Sequence, residues 1–150
     1  MTRTESRGRG QGLVEMALVL PIFLLIIFGM LDLGRAVYAY NTISNSSRAG
    51  ARVAIVNQTT SAIQAEAISQ SVALGVTAGQ VSISYLQPTT SATCPSPISI
   101  GCRVSITVTD QWTAVTPVIS QIIGPITLQA TTEMPVERTC PWPPGKPTCP

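Results

Sequence analysis

The chain has 150 residues, a formal net charge of +2 and no histidine, and only 11% of its residues are charged. This charge is too small to form the electrostatic footprint of a nucleic-acid-binding protein. The length allows one small domain, and the abundance of Ser, Thr, Ala, Val and Ile favours a β-rich protein outside the cytoplasm.

A basic N-terminus precedes an apolar run of nineteen residues, Leu13–Leu31. As a helix this run extends about 28 Å, close to the hydrocarbon thickness of a bilayer. Arg3, Arg7 and Arg9 precede the run, and the positive-inside rule keeps this end in the cytoplasm. We therefore predict a single-pass inner-membrane protein in contact with lipid, with its N-terminus inside and its C-terminus outside.

The helix is predicted to continue beyond the membrane to about Val56, because small and apolar residues persist at helical spacing. Three residues of this extension are predicted to face a core, namely Ala36, Ile43 and Ala54. Arg48 and Arg52 share another side, which we interpret as solvated, with lipid headgroups or a neighbouring subunit as the alternative. Gly50 is expected to weaken the helix locally.

Asp32 and Arg35 follow the apolar run at i, i+3 spacing. A pair of opposite charges at this spacing is usually a local contact on a helix surface. We interpret it as a solvated ion pair and not as a binding site for a partner subunit.

A second helix is predicted after the break at residues 57–60, with Ser61 as its N-cap, and it continues to Leu74. Its apolar stripe consists of Ala65, Ile68, Val72 and Val76. One apolar stripe suits packing against the first helix. Gly75 and Gly79 then end the helix.

Alternation with a period of two follows and predicts three antiparallel strands. Their apolar positions are Val81, Ile83 and Tyr85, then Val104, Ile106 and Val108, then Ile126, Leu128 and Ala130. Near-helical spacing of apolar residues between Trp112 and Gly124 predicts a short helix or turn before the third strand. The predicted fold class is therefore α+β, with a long N-terminal transmembrane helix, a second helix packed on it and a small antiparallel sheet.

The four cysteines form two close pairs beyond the apolar run, where disulfides persist. Four cysteines allow three connectivities, and we favour Cys94 with Cys102 and Cys140 with Cys149, because each pair closes a short loop that contains proline. A structural zinc site is the alternative, but neither pair has CxxC spacing and histidine is absent.

Glu15 places a carboxylate near the start of the apolar run. An acid at the centre of a membrane helix costs about 2.5–3.5 kcal/mol, and less near an end, so such a residue usually has a partner. If a peptidase cuts after Gly10, the new α-amino group of Gln11 lies one helical turn before Glu15 and on the same face. This amine can neutralise Glu15 within the subunit or in a neighbouring subunit of a filament.

Three stretches together resemble the TadE-like pseudopilins of tight-adherence (Flp-type) pili. They are Gly10–Pro21 (GQGLVEMALVLP), Phe28–Ala36 (FGMLDLGRA) and Asn45–Arg52 (NSSRAGAR), and the resemblance spans about the first 56 residues. It implies cleavage by a prepilin peptidase after Gly10, with Gln11 as the first mature residue.

The cut after Gly10 makes Glu15 the fifth mature residue, whereas cuts after Gly8 or Gly12 make it the seventh or the third and fit less well. Met16 departs from the family, which usually has an aromatic residue after the acid.

The resemblance further implies that the cut subunit enters a filament, or joins its base or tip, with the apolar helix in the shared core. The implied partners are the prepilin peptidase, a secretion ATPase, membrane platform proteins and other pilin subunits. Pro21 removes the hydrogen bond to the Ala17 carbonyl and suits a helix that bends or opens locally, although proline is also tolerated in lipid.

The predicted segments are a basic leader (1–10), a transmembrane and stalk helix (11–56), an extracytoplasmic α+β domain (57–136) and a Pro-rich, disulfide-bearing tail (137–150). The acids beyond the first helix are Glu66, Asp110, Glu133 and Glu137, and they form no catalytic pattern with a base or a metal ligand. We therefore predict no enzyme activity, no catalytic residue, no metal, no cofactor and no small-molecule substrate.

Two alternatives remain at this point. Ordinary signal peptidase cleaves after small residues, and Val37-Tyr38-Ala39 before Tyr40 offers such a site, which predicts a released binding domain. The apolar run exceeds the usual signal-peptide length of about 7–15 residues. The second alternative is an uncut single-pass anchor that displays its domain beside a secretion machine.

Overall fold

The computed structural model of the protein describes residues 7–90 and 92–139. The chain forms two compact units, one built from the residues up to Ala36 together with Thr113–Pro125, and the other from Val37–Trp112 and the chain from Ile126 onward. A single long helix contributes residues to both units. The predicted α+β class is confirmed.

The long helix, α1, spans Arg7–Ala54 and contains 48 residues. It passes through Pro21 without ending, and it stops two residues before the predicted end at Val56. The side chains of its apolar run are exposed, for example Leu18 at 69% and Ile22 at 66%. Among the residues that the structure describes, α1 is the one helix with the length and composition to span a membrane.

The second helix, α2, spans Thr60–Ser69, and its N-cap is Thr59 and not Ser61 as predicted. The side chain of Asn57 accepts the backbone N–H of Thr59 at 2.9 Å and shapes the turn before the helix. A separate 3₁₀ turn, Val72–Leu74, follows α2 and ends at Gly75, whose φ of 68° is left-handed.

The predicted apolar stripe of the second helix is wrong in its register. The buried residues of α2 are Ile63 and Ala67, whereas Ala65 is exposed and Val72 is 74% exposed. The reason is that α2 ends at Ser69, so that Val72 no longer lies on the same helical face. Val76 is buried as predicted, although it lies beyond the helix.

Helix α2 packs on α1 as predicted, and Gly50 permits the close approach. A methyl group on Gly50 would lie 3.3 Å from Cβ of Ala67 and 3.4 Å from Cγ2 of Ile106. The hydroxyl of Ser46 donates a 2.6 Å hydrogen bond to the Ala67 carbonyl. Gly50 therefore lies within an unbroken helix, at the point where α1, α2 and the sheet meet.

The sheet contains β1 (Val81–Leu86), β2 (Arg103–Trp112) and β3 (Ile126–Pro135). The order is β1-β2-β3 and both pairs are antiparallel, as predicted. The apolar side chains of the central strand, Val104, Ile106 and Val108, are fully buried against the helices and form the core with Ile43, Ala54 and Ile63. Ile126 departs from the predicted pattern and is 38% exposed at the start of β3.

A disulfide joins Cys94 to Cys102, as predicted. Cys140 and Cys149 lie outside the described residues. The chain after β3 returns to the C-terminus of α1, where the carbonyl of Ile55 accepts the backbone N–H groups of Glu137 and Arg138 at 3.1 and 3.0 Å. These bonds satisfy a carbonyl that the end of a helix leaves without an intrahelical partner.

Replacing Gly50 with leucine is expected to destabilise the protein by about 1–3 kcal/mol, because the added side chain overpacks the junction of α1, α2 and β2. Thermal unfolding of the full chain in detergent measures this change. Gly34→Leu is the matched control, since a Cβ added at that helix position meets nothing within 4 Å. Equal unfolding temperatures for the two variants would contradict the close packing.

Candidate functional site

The predicted cleavage site lies in the N-terminal part of α1. Gly10 and Gln11 are both helical and exposed, and Glu15 is exposed one turn further along. Glu15 borders a shallow groove with Gly12, Met16 and Val19. Among the side chains that the structure describes, which begin at Gly10, no ion pair joins Glu15 to a basic group. The helix therefore presents this carboxylate on an otherwise apolar surface.

Pro21 lies about two and a half turns after Gly12 within the same helix. The ring removes one backbone donor, so the carbonyl of Ala17 loses its usual intrahelical partner. Continuous helix on both sides shows that this loss does not end α1. A bend at Pro21 stays a prediction.

The local i, i+3 pair of Asp32 and Arg35 predicted from the sequence is present, but the prediction that it is solvated is wrong for Asp32. Its carboxylate is buried, and Oδ1 and Oδ2 accept the backbone N–H groups of Val115 and Thr116, each at 3.0 Å. Arg35 is the weaker partner, because its guanidinium lies 3.6 Å from Oδ1 and its side chain is 55% exposed.

The hydrogen bonds at Asp32 favour its charged form. The Thr116 side chain and the backbone N–H groups of Val115 and Thr116 lower the pKa of the Asp32 carboxyl, with a smaller contribution from Arg35. Asp32 lies just beyond the predicted membrane span of residues 13–31. An acid at that position would otherwise need water, and the backbone donors replace it.

The segment that contacts Asp32 leads into a short helix, α3, which spans Pro117–Ile123. Pro117 suits the first helical position because its missing N–H would have no partner there, and Gly124 ends the helix with a φ of 71°. This confirms the short helix predicted between the second and third strands. Cδ1 of Ile119 lies 3.5 Å from the point where a Cβ of Gly29 would stand, so this glycine admits α3 to the surface of α1.

A polar groove lies between α1 and α2 in the other unit. Its lining includes Arg48 and Arg52 from α1 and Glu66 and Gln70 from α2, and its volume is about 430 Å³. Arg48 and Arg52 are exposed, as the solvated interpretation predicted. The described residues contain no group of three His, Cys, Asp or Glu side chains arranged to hold a metal ion.

Sequence reasoning missed the contact of Asp32 with the Val115–Thr116 backbone because more than eighty residues separate the two sides. One signal was available. An acid directly after a membrane-length apolar run needs a donor, and the Thr-Pro pair at 116–117 is a typical helix start with unpaired N–H groups nearby.

The exposed apolar part of α1, the one candidate span among the described residues, fits a single-pass membrane protein that carries a small α+β unit. Residues 10–52 match the family model of the TadE-like protein. The predicted resemblance is confirmed over these residues, which make up under a third of the chain and form a TadE-like N-terminal segment. The TadE-like family is a pilus-associated family of structural proteins. No curated protein and no solved structure matches the chain.

Replacing Asp32 with alanine is expected to accelerate hydrogen exchange at the Val115 and Thr116 amides by about tenfold or more, because both N–H groups lose their acceptor. Exchange measured by mass spectrometry on the full chain in detergent checks this. Arg35→Ala is the control and should change exchange little, since its contact with Asp32 is long and exposed. Similar exchange in both variants would show that the Asp32 bonds do not hold the segment.

Proposed function

We propose that the protein is a TadE-like minor pilin that prepilin peptidase cuts between Gly10 and Gln11. Before assembly it is anchored in the inner membrane with its N-terminus inside and its C-terminus outside, and α1 then joins the base, shaft or tip of a tight-adherence pilus. The observation that carries the proposal is the family match, which begins at Gly10 and includes Glu15.

The exposure of the apolar run supports an assembly role for α1. Leu13, Leu18 and Phe23 have no cover in the single chain and are 74%, 69% and 57% exposed. Lipid covers such a surface in the membrane, and the apolar helices of neighbouring subunits can cover the same surface in a filament. The same residues thus serve as a temporary anchor and as an assembly surface.

Glu15 supports the proposed position of the cut. After cleavage, the positive α-amino group of Gln11 starts the helix, four residues before the exposed carboxylate of Glu15. In the low dielectric of lipid or of a filament core, an opposite charge greatly reduces the cost of the carboxylate. An amine from the same subunit or from a neighbour therefore stabilises the carboxylate of Glu15, and between subunits it does so only when the helices are aligned so that the two groups meet.

The helix must open locally before the Gly10–Gln11 bond can be cut. The Gly10–Gln11 peptide lies within α1, so a peptidase must unwind the first turns before it cuts. Gly10 and Gly12 reduce the free-energy cost of this unwinding, because each glycine destabilises a helix by about 1 kcal/mol relative to alanine. The leader of residues 1–10 is then lost, and the helix and the extracytoplasmic domain of residues 57–136 remain joined.

The rival cut before Tyr40 has less support. Ala39 is only 2% exposed and lies within continuous α1. A signal peptidase would have to open the helix where it already packs, whereas Gly10 and Gln11 are exposed.

N-terminal sequencing of the membrane-extracted protein tests the cleavage. In cells with an active prepilin peptidase the sequence should start at Gln11, and in cells without the peptidase it should start at Met1. Gly10→Leu is expected to block the conversion. An uncut chain in the presence of the peptidase would refute processing, and a soluble chain that begins at Tyr40 would favour signal peptidase.

Replacing Glu15 with alanine is expected to prevent incorporation into sheared pili while the protein remains in the membrane, because the amine of Gln11 loses its partner. Immunoblots of the filament and membrane fractions measure this distribution. Glu137→Ala, which removes an exposed acid of the other unit, should leave both fractions unchanged. If the Glu15 variant enters filaments normally, Glu15 does not act in assembly.

A further inference from the structure

The segment Thr113–Pro125 has an unusual surface for a part of the protein outside the membrane. Its sequence, TAVTPVISQIIGP, contains no charged residue. Several of its apolar side chains are exposed in the compact unit that it forms with α1, namely Val115 at 68%, Val118 at 51%, Ile122 at 78% and Ile123 at 54%. Apolar side chains grouped in this way on one short element mark an interaction surface.

The contacts of this segment fix its height along α1. Ile119 packs over Gly29, and the N–H groups of Val115 and Thr116 bind Asp32. At about 1.5 Å per residue, Gly29 lies roughly 3 Å inside the end of the apolar run at Leu31, and Asp32 lies just beyond that end. Helix α3 therefore lies beside the last turn of the predicted span.

Exposed apolar residues of α1 also lie at the height of α3. Met30, Leu31 and Leu33 are 69%, 60% and 66% exposed there. The last turn of the apolar run and α3 therefore both leave apolar side chains without cover at this height. In a membrane-anchored chain the cover at the end of a span is lipid at the boundary between headgroups and acyl chains.

Backbone N–H groups of this segment have hydrogen-bond partners within the protein, which suits a poorly hydrated environment. Non-helical backbone near the hydrocarbon region must have its polar groups paired within the protein. The carboxylate of Asp32 pairs two N–H groups in the turn before α3, and the N–H groups of Ser120 and Gly124 donate to the carbonyls of Thr116 and Ser120 at 2.9 Å each. Asp32 thus performs the role that water has in an exposed loop.

We propose that α3 is a second membrane-contacting element, which inserts Val118, Ile122 and Ile123 into the outer boundary of the bilayer while Asp32 holds it against α1. The occupant of this surface is lipid, not a second copy of the chain or another protein. The inference depends on membrane insertion of α1 and is independent of cleavage at Gly10. It gives the subunit two lipid contacts, of which the α3 contact also restricts rotation of α1 about its axis.

Tryptophan fluorescence in vesicles tests this proposal. The full chain, in the variants Ile122→Trp, Val72→Trp and Phe23→Trp, is reconstituted in vesicles of phosphatidylethanolamine and phosphatidylglycerol. The lipids are unbrominated, brominated near the headgroup end of their chains to report on Ile122, or brominated near the methyl end of their chains to report on Phe23. The signal of the parent chain, which contains Trp112 and Trp142, is subtracted. Val72 is the matched control, because it is apolar and 74% exposed but belongs to the other unit.

The tryptophan of Ile122→Trp should emit at shorter wavelength than that of Val72→Trp, and brominated lipid should quench it several-fold more. Acrylamide, which is dissolved in the water, should quench the tryptophan of Val72→Trp more than that of Ile122→Trp. Equal quenching of these two variants by acrylamide, with strong lipid quenching of Phe23→Trp, would overturn the α3 contact alone. Failure of lipid to quench Phe23→Trp would overturn both the span and this inference. A start at Met1 in the sequencing experiment would refute processing and leave the α3 result unaffected.

Discussion

The structure depends on one constraint, which is that a single helix must satisfy two environments along its length. The first part of α1 exposes nearly all its apolar side chains, whereas the part after Val37 buries Ile43, Gly50 and Ala54 in a protein core. The hydrophobic effect acts on both parts, but the chain's own sheet covers only the second part, and the apolar side chains of the first part are left exposed. The small residues of the second part then decide how closely α2 and β2 approach.

Asp32 lies near the change between these two environments, and its position explains the local design. A carboxylate at the edge of a membrane span has a high desolvation cost unless it receives hydrogen bonds. The turn before α3 supplies two backbone donors and in return receives an acceptor for groups that a helix start leaves unpaired. The carboxylate and the two N–H groups thus supply each other's hydrogen-bond partners. The contact also places α3, which is apolar and uncharged, beside the end of the predicted span.

Glu15 presents the opposite case within the same helix. The described part of the chain offers its carboxylate no ion pair, although it lies on an apolar surface. An acid that is satisfied within the fold, as Asp32 is, serves the subunit itself. An acid without a partner in its own subunit is expected to favour a partner that arrives later, and this difference is the physical basis for proposing that Glu15 acts in assembly while Asp32 serves local structure.

The sequence by itself determined the long helix, the three antiparallel strands, the Cys94–Cys102 disulfide and the family resemblance of the N-terminal segment, because hydrophobic period, cysteine spacing and a local motif are short-range signals. Only the tertiary structure decided the environment of Asp32, since backbone N–H groups carry no sequence signature and the partners are distant in the chain. It likewise decided the register of α2, where the buried Ile63 and Ala67 follow from the end of the helix at Ser69. Gly50 is a further example. From the sequence it is only a residue that weakens a helix, whereas the packing shows that its missing side chain lets α1, α2 and β2 approach closely.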